Sequence, residues 1–166
     1  MTVDALVKKL ELLPHPEGGY YKETYRSAET ISENALPVRF KGERSFATAI
    51  YFLIEKNNFS ALHKIKSDEI WHFYYGDALE VIEIDGRGNL KTTLVGNKLE
   101  EGELFQYTVK AGNWFGSRVR EGGAFSLVGC TVSPGFDFSD FEMADRKKLT
   151  EQFPRHAGLI EKMTRI

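Results

Sequence analysis

Between Tyr20 and Val132 the chain is cut into short apolar or alternating segments separated by turn signals, and this pattern most narrows the folds open to it. Tyr20–Arg26, Ser45–Ile54, Phe59–Lys66, Glu69–Tyr75, Leu79–Ile84, Leu90–Val95, Leu104–Val109, Trp114–Val119 and Phe125–Val132 read as strands. Asp85-Gly-Arg-Gly-Asn89 is a turn whose glycines take positive φ at little cost, so the segments beside it form a hairpin. The expected architecture is a mainly β barrel or sandwich of antiparallel strands. Short helices frame it. Val3, Leu6, Val7, Leu10 and Leu13 recur at helical spacing between a Thr2 cap and a Pro14 stop. Ser139 with Glu142 predicts a capping box opening a helix towards Phe153, and Pro154 starts a second one running to about Met163.

The 166 residues suit one domain spanning 1–166, with enough chain to bury a core. Twelve Phe, seven Tyr and two Trp suit a barrel with a lined interior. The 22 basic residues nearly balance 24 acidic ones, so neither nucleic acid nor a membrane surface is an expected partner. Charges interrupt residues 1–13, which are therefore no signal peptide, and the longest apolar run, Ala47–Ile54, is too short to span a bilayer. Cys130 is the single cysteine, which excludes an intramolecular disulfide and fits a reducing compartment. A cytoplasmic location is expected.

The stretch Ser60-Ala-Leu-His-Lys-Ile-Lys-Ser-Asp-Glu-Ile-Trp-His-Phe-Tyr-Tyr-Gly76 resembles the first motif of the cupin superfamily, H-x-H, three or four residues, E, six residues, G. His63, Glu69 and Gly76 fall in that register, and Ile65 replaces the second histidine. The chain is also similar to one branch, cupin family 5. That likeness is carried by His15-Pro-Glu-Gly-Gly-Tyr20, Glu23–Ser27, Ser67–Gly76, Ala111–Phe115, Ser126–Phe136 and Asp140–Ala144. The resemblance implies a double-stranded β-helix of jelly-roll type, similar to the dTDP-sugar 3,5-epimerases. It also implies a homodimer. The second cupin motif, P-x-G, two residues, H, three residues, N, keeps Gly112, with Lys110, Phe115 and Val119 in place of the proline, histidine and asparagine.

Alternation puts Glu69, Trp71, Phe73 and Tyr75 on one strand face and Ile70, His72 and Tyr74 on the other. With Glu69 facing the lumen, as the resemblance implies, His63 meets it there and His72 points outward unless a bulge shifts the register. A histidine made more basic by a carboxylate abstracts a proton beside a carbonyl, as the resemblance to sugar epimerases also implies. Tyr75 and Tyr107 are the candidate acids. Trp71, Phe73, Trp114 and Phe115 are expected to line the ligand pocket, with Arg118 at its mouth. Arg26 and Arg120 are further anion-binding candidates, although isolated strand arginines are usually solvated. Glu17 is a rim candidate in a segment that reads first as a tight turn around Gly18 and Gly19. A catalytic metal would have only His63, Glu69 and an out-of-register His72, so no cofactor beyond a weakly held divalent ion is expected. Three functions follow. The leading one is binding of a small polar metabolite, a sugar or nucleotide-sugar, with metal-independent epimerase or isomerase chemistry. The others are a non-catalytic ligand-binding cupin and a metal-dependent enzyme with a reduced ligand set.

Overall fold

The computed structural model describes residues 1–165. Helix α1 (Val3–Leu10) leads into β1 (Leu13–Pro14), β2 (Tyr20–Arg26), β3 (Thr30–Ile31) and β4 (Arg44–Ser45). The barrel strands follow: β5 (Thr48–Glu55), β6 (Phe59–Lys64), β7 (Asp68–Gly76), β8 (Leu79–Ile84) and β9 (Leu90–Val95). They are completed by β10 (Gln106–Val109), β11 (Trp114–Val119) and β12 (Phe125–Ser133). The chain ends with β13 (Glu142–Met143), α2 (Arg146–Gln152) and α3 (Ala157–Lys162). One sheet runs β1-β2-β5-β12-β7-β10, and the facing sheet runs β13-β6-β11-β8-β9, with antiparallel neighbours throughout. This is the jelly-roll barrel expected from the sequence.

The terminal helices differ from expectation for local reasons. Helix α1 stops before Leu13 because Glu11 turns left-handed (φ 55°) and the Leu12 N–H reaches back to the Val7 carbonyl. Ser139 caps no α-helix. Residues 138–140 form a single 3-10 turn, and Glu142–Met143 is drawn into the sheet beside His63 and Lys64. Helix α2 starts later, where the Asp145 carboxylate accepts from the Lys148 N–H.

Three apolar clusters hold the layers together. Inside the barrel, Phe52, Trp71, Leu79, Val81, Phe115 and Val128 fill the lumen between the sheets. Outside the five-stranded sheet, Leu149, Phe153, Ile160 and Met163 pack on Leu62, Ile82, Ile84 and Trp114. Outside the other sheet, Leu6 and its helical neighbours cover Leu53 and Leu127. The end of the lumen nearest the β1–β2 loop is polar, with Glu17, His63 and Glu69 lining a cavity there.

Candidate functional site

Glu17 reaches the barrel interior because two glycines let its loop lie against the sheets. Gly18 and Gly19 have φ of 111° and 75°, and a Cβ on them would stand 2.1 Å from the Phe59 carbonyl oxygen and 2.6 Å from that of Leu53. The turn and the site therefore serve each other. With the loop seated, the Ala61 N–H donates to the Glu17 carbonyl (2.8 Å) and the Glu17 carboxylate enters the lumen, 6% exposed. It is an interior group and not the rim residue the sequence suggested. Facing β11, strand β6 has three steps from Ser60 to His63 where its partner has two, from Phe115 to Ser117. This bulge lets both Ser60 and His63 address Glu17. Ser60 Oγ donates to Oε1 at 2.8 Å, and His63 Nε2 lies 3.1 Å from Oε2.

The other ring nitrogen fixes the tautomer. His63 Nδ1 lies 2.7 Å from the Ala61 carbonyl oxygen, which only accepts, so Nδ1 carries a hydrogen. One proton is then shared between Nε2 and the Glu17 carboxyl. Burial lowers the His63 pKa and raises that of Glu17, so desolvation favours a neutral imidazole beside a neutral acid. The Phe115 ring lies tilted against the imidazole (centroids 4.2 Å apart, 54° between planes) with Phe141 beside it.

Glu69 enters from the opposite sheet. It does not pair directly with His63, as the sequence suggested, because Glu17 occupies that position. Burial pushes its carboxyl up to about 7, with the Glu17 charge adding to the rise and His63 opposing it. The Cys130 thiol lies beside Glu69, and burial followed by the Glu69 charge raises the thiol pKa far above its ordinary value. Cys130 is a buried, protonated thiol.

These groups line a cavity of about 520 Å³, a size that suits a small metabolite. Glu17, His63, Glu69 and Cys130 lie buried in its floor, and Glu23, Arg26, Asp137 and Phe138 stand exposed at its rim. His15 and Tyr21 line one wall, with their rings edge-on at 4.6 Å. Phe136, Phe138 and Phe141 make the other wall. That wall is anchored by Arg44, whose guanidinium donates to both Asp140 oxygens at 2.7 Å in a buried pair.

Several sequence candidates lie elsewhere. Tyr75 leaves the lumen because β7 carries an extra residue against β12, where Val128 faces Phe73 but Leu127 faces Tyr75. It is 47% exposed and packs on Phe125. Tyr107 hydrogen-bonds to the Glu83 carboxylate, away from the cavity lining. Trp71 and Phe73 belong to the filled part of the lumen. Trp114 faces outward beneath α2 and α3, because its neighbour Phe115 takes the inward position. Arg118 shares that outer face and is held by Glu80 at 2.7 Å, and Arg120 bonds to Glu101 and Glu103. His72 points outward, with Nε2 3.0 Å from Thr131 Oγ1. His15, Tyr21, Glu23, Phe136, Asp137, Phe138 and Phe141 line the cavity without being site candidates on the sequence. Most of these sit in the segments that carried the family resemblance.

The metal set implied by the fold does not fit these residues. Ile65 is 3% exposed in the hydrocarbon cluster and Phe115 covers the His63 ring, so carbon stands in place of two donors. Among the described residues no group of three or more His, Cys, Asp or Glu side chains is arranged to hold a metal ion.

Residues 4–144 match the family model described as "Cupin superfamily (DUF985)". An uncharacterised Saccharomyces cerevisiae protein, YML079W, is 30% identical over 149 residues, covering 84% of this chain and 73% of its own. A hypothetical protein from Leishmania major superposes with a TM-score of 0.90 at 39% identity over 100% of both chains. A Shewanella oneidensis protein gives 0.89 at 37% identity over 99% of this chain and 98% of that one. More distantly, oxalate decarboxylase from Bacillus subtilis shares the fold, with a TM-score of 0.54 at 15% identity over 90% of this chain and 36% of the decarboxylase. Among the described residues no helix is long and apolar enough to cross a membrane.

Proposed function

The chain belongs to the cupin superfamily, in its DUF985 family, and from that premise we propose that it binds a small polar, sugar-sized carbonyl metabolite and moves a proton beside the carbonyl without a metal. The observation that carries this reading is the Glu17–His63 couple, a carboxyl and an imidazole 3.1 Å apart on the floor of the cavity. Burial raises the proton affinity of the carboxyl and lowers that of the imidazole, and a proton shared between two such groups suits general acid–base exchange. In the proposed step the couple takes the C–H proton, the bond's electron pair moves into the carbonyl as an enolate, and the proton returns to carbon. Tyr21 lines the same cavity and is the phenol available to protonate the enolate oxygen. It takes the acid role first considered for Tyr75 and Tyr107.

The test is exchange of solvent deuterium into ketose and aldose phosphates and free sugars, followed by NMR. Wild-type protein should label a substrate carbon, and Glu17→Gln and His63→Gln should each lower the rate by about 10²-fold or more while the fold remains intact. Unchanged exchange in both variants would remove the assignment. A second reading, a ligand-binding cupin without turnover, is favoured by one fact: both His63 nitrogens and both Glu17 oxygens already have partners. It predicts affinity with no labelling at any pH.

The proposal includes a cytoplasmic homodimer. Tyr25 and Tyr74 expose 55% and 51% of their surfaces on the outer side of the six-stranded sheet, a surface of the kind paired subunits cover. Light scattering giving a monomer mass at micromolar concentration would remove that part.

A further inference from the structure

We infer that the cavity selects a ligand bearing a positively charged amine and rejects phosphorylated or carboxylated analogues of the same size. This deepens the preceding proposal and rests on its reading of the cavity as a ligand site.

Glu69 is a buried carboxyl group facing the cavity. Its side chain is 8% exposed, it lines the cavity, and among the described residues no N–H or O–H group donates to its carboxylate. Its neighbour Cys130 offers only a thiol, a weak donor. A buried carboxylate short of donors is costly unless a ligand supplies one, and an ammonium group supplies both the donor and the charge.

Charge around the cavity is unbalanced. Beside the neutral Glu17, the acidic residues Glu23, Glu69 and Asp137 line it, and Arg26 is the one permanent cation among the described lining residues. That cation is already engaged. Arg26 Nε and Nη2 donate to the two Glu23 oxygens at 3.0 and 2.8 Å, and Nη2 also donates to the Phe136 carbonyl at 3.0 Å. The histidines add no counterion. The Glu17 N–H donates to His15 Nδ1 at 3.2 Å, leaving that nitrogen as an acceptor, and burial lowers the pKa of both rings. A phosphate or carboxylate entering here would meet acidic groups and no free cation.

The cavity wall is rich in aromatic rings. Phe136 and Phe138 meet at 82° with centroids 4.9 Å apart, and Phe141 stands 6.0 Å from Phe138. Tyr21 completes the lining on the other side. Aromatic faces attract a cation through their quadrupoles, and four such rings line this cavity.

The groups facing Glu69 are His63 from β6, Glu17 from the β1–β2 loop and Cys130 from β12. Ligand ammonium should bind as Glu69 ionises, so affinity should rise with pH towards about 7, with proton release, and fall again where the ligand amine loses its own proton.

The experiment is titration calorimetry of the full chain near pH 7, where the glucosamine amine is still largely protonated, with glucosamine, glucose, glucuronate and glucose 6-phosphate. The expected result is glucosamine binding at least tenfold more tightly than glucose, with the two anions weakest. Glu69→Gln should abolish the tenfold preference, and Asp137→Asn should reduce it. An anion binding as tightly as glucosamine, a preference unchanged in Glu69→Gln, or no binding by any of the four would overturn the inference. Amine preference without deuterium exchange would instead defeat the catalytic reading and leave this one standing.

Discussion

Glu69 and Trp71 are two residues apart on one strand and point into the same barrel, yet they meet opposite surroundings. Trp71 is 1% exposed between Phe52 and Phe115, its ring edge-on to theirs at 5.9 and 6.3 Å. Glu69 is almost as deeply placed but opens onto a cavity with Glu17 and His63. One end of the lumen is filled to give stability. The other carries desolvated polar groups whose burial costs stability and makes them reactive. The boundary between them is Phe115, which contacts Trp71 on one side and His63 on the other.

The largest effect should come from emptying the filled end. Trp71→Ala should cost about 3–5 kcal/mol in urea unfolding, the range for deleting a buried large aromatic. Its indole N–H has no hydrogen-bond partner, so Trp71→Phe should cost much less. If both substitutions cost the same, the packing account of this end is wrong.

An intermediate effect of opposite sign belongs to the polar end. A carboxyl whose folded pKa is raised holds its proton more tightly in the fold. It therefore contributes stability below the unfolded value of about 4.5, which is lost as pH rises through the folded value of about 7. Glu69→Gln keeps the volume and removes the ionisation. The variant should match wild type near pH 4 and exceed it at pH 8 by, at most, on the order of 3 kcal/mol. A wild-type stability curve flat between those limits would show Glu69 ionising as it does in water.

Alternation and turn chemistry made the barrel legible, because each strand had to bury one face and Asp85–Asn89 had to turn. They also placed Glu69 and Trp71 on a common inward face. Legibility ended where the backbone departs from strict alternation. The bulge before Tyr75 reverses its side, and the bulge after Ser60 turns two residues three apart towards one carboxylate. Neither carries a local signal, since each is imposed by the partner strand. Glu17 was hidden differently. Its glycines read correctly as a turn, but the carbonyl oxygens of Phe59 and Leu53 that require them are about 40 residues away in sequence. The 138–143 segment looked like a helix start because Ser139 and Glu142 have capping-box spacing. Pairing of Glu142–Met143 with β6 and the Arg44–Asp140 pair outweigh that preference.

The smallest effect sharpens the comparison by touching neither end. Helix α2 lies on the outer face of the barrel, and its first turn is capped by the Asp145 carboxylate at 2.9 Å from the Lys148 nitrogen. Asp145→Ala should cost about 1 kcal/mol through the lost cap, and Asp145→Ser should restore most of it. Glucosamine affinity and deuterium exchange should stay within twofold of wild type, because Leu149 and Phe153 pack on Trp114 and Ile84 rather than on the lumen. A change in either larger than the stability loss explains would mean that the outer layer and the cavity share one cooperative structure. The filled end of the barrel would then no longer insulate the site.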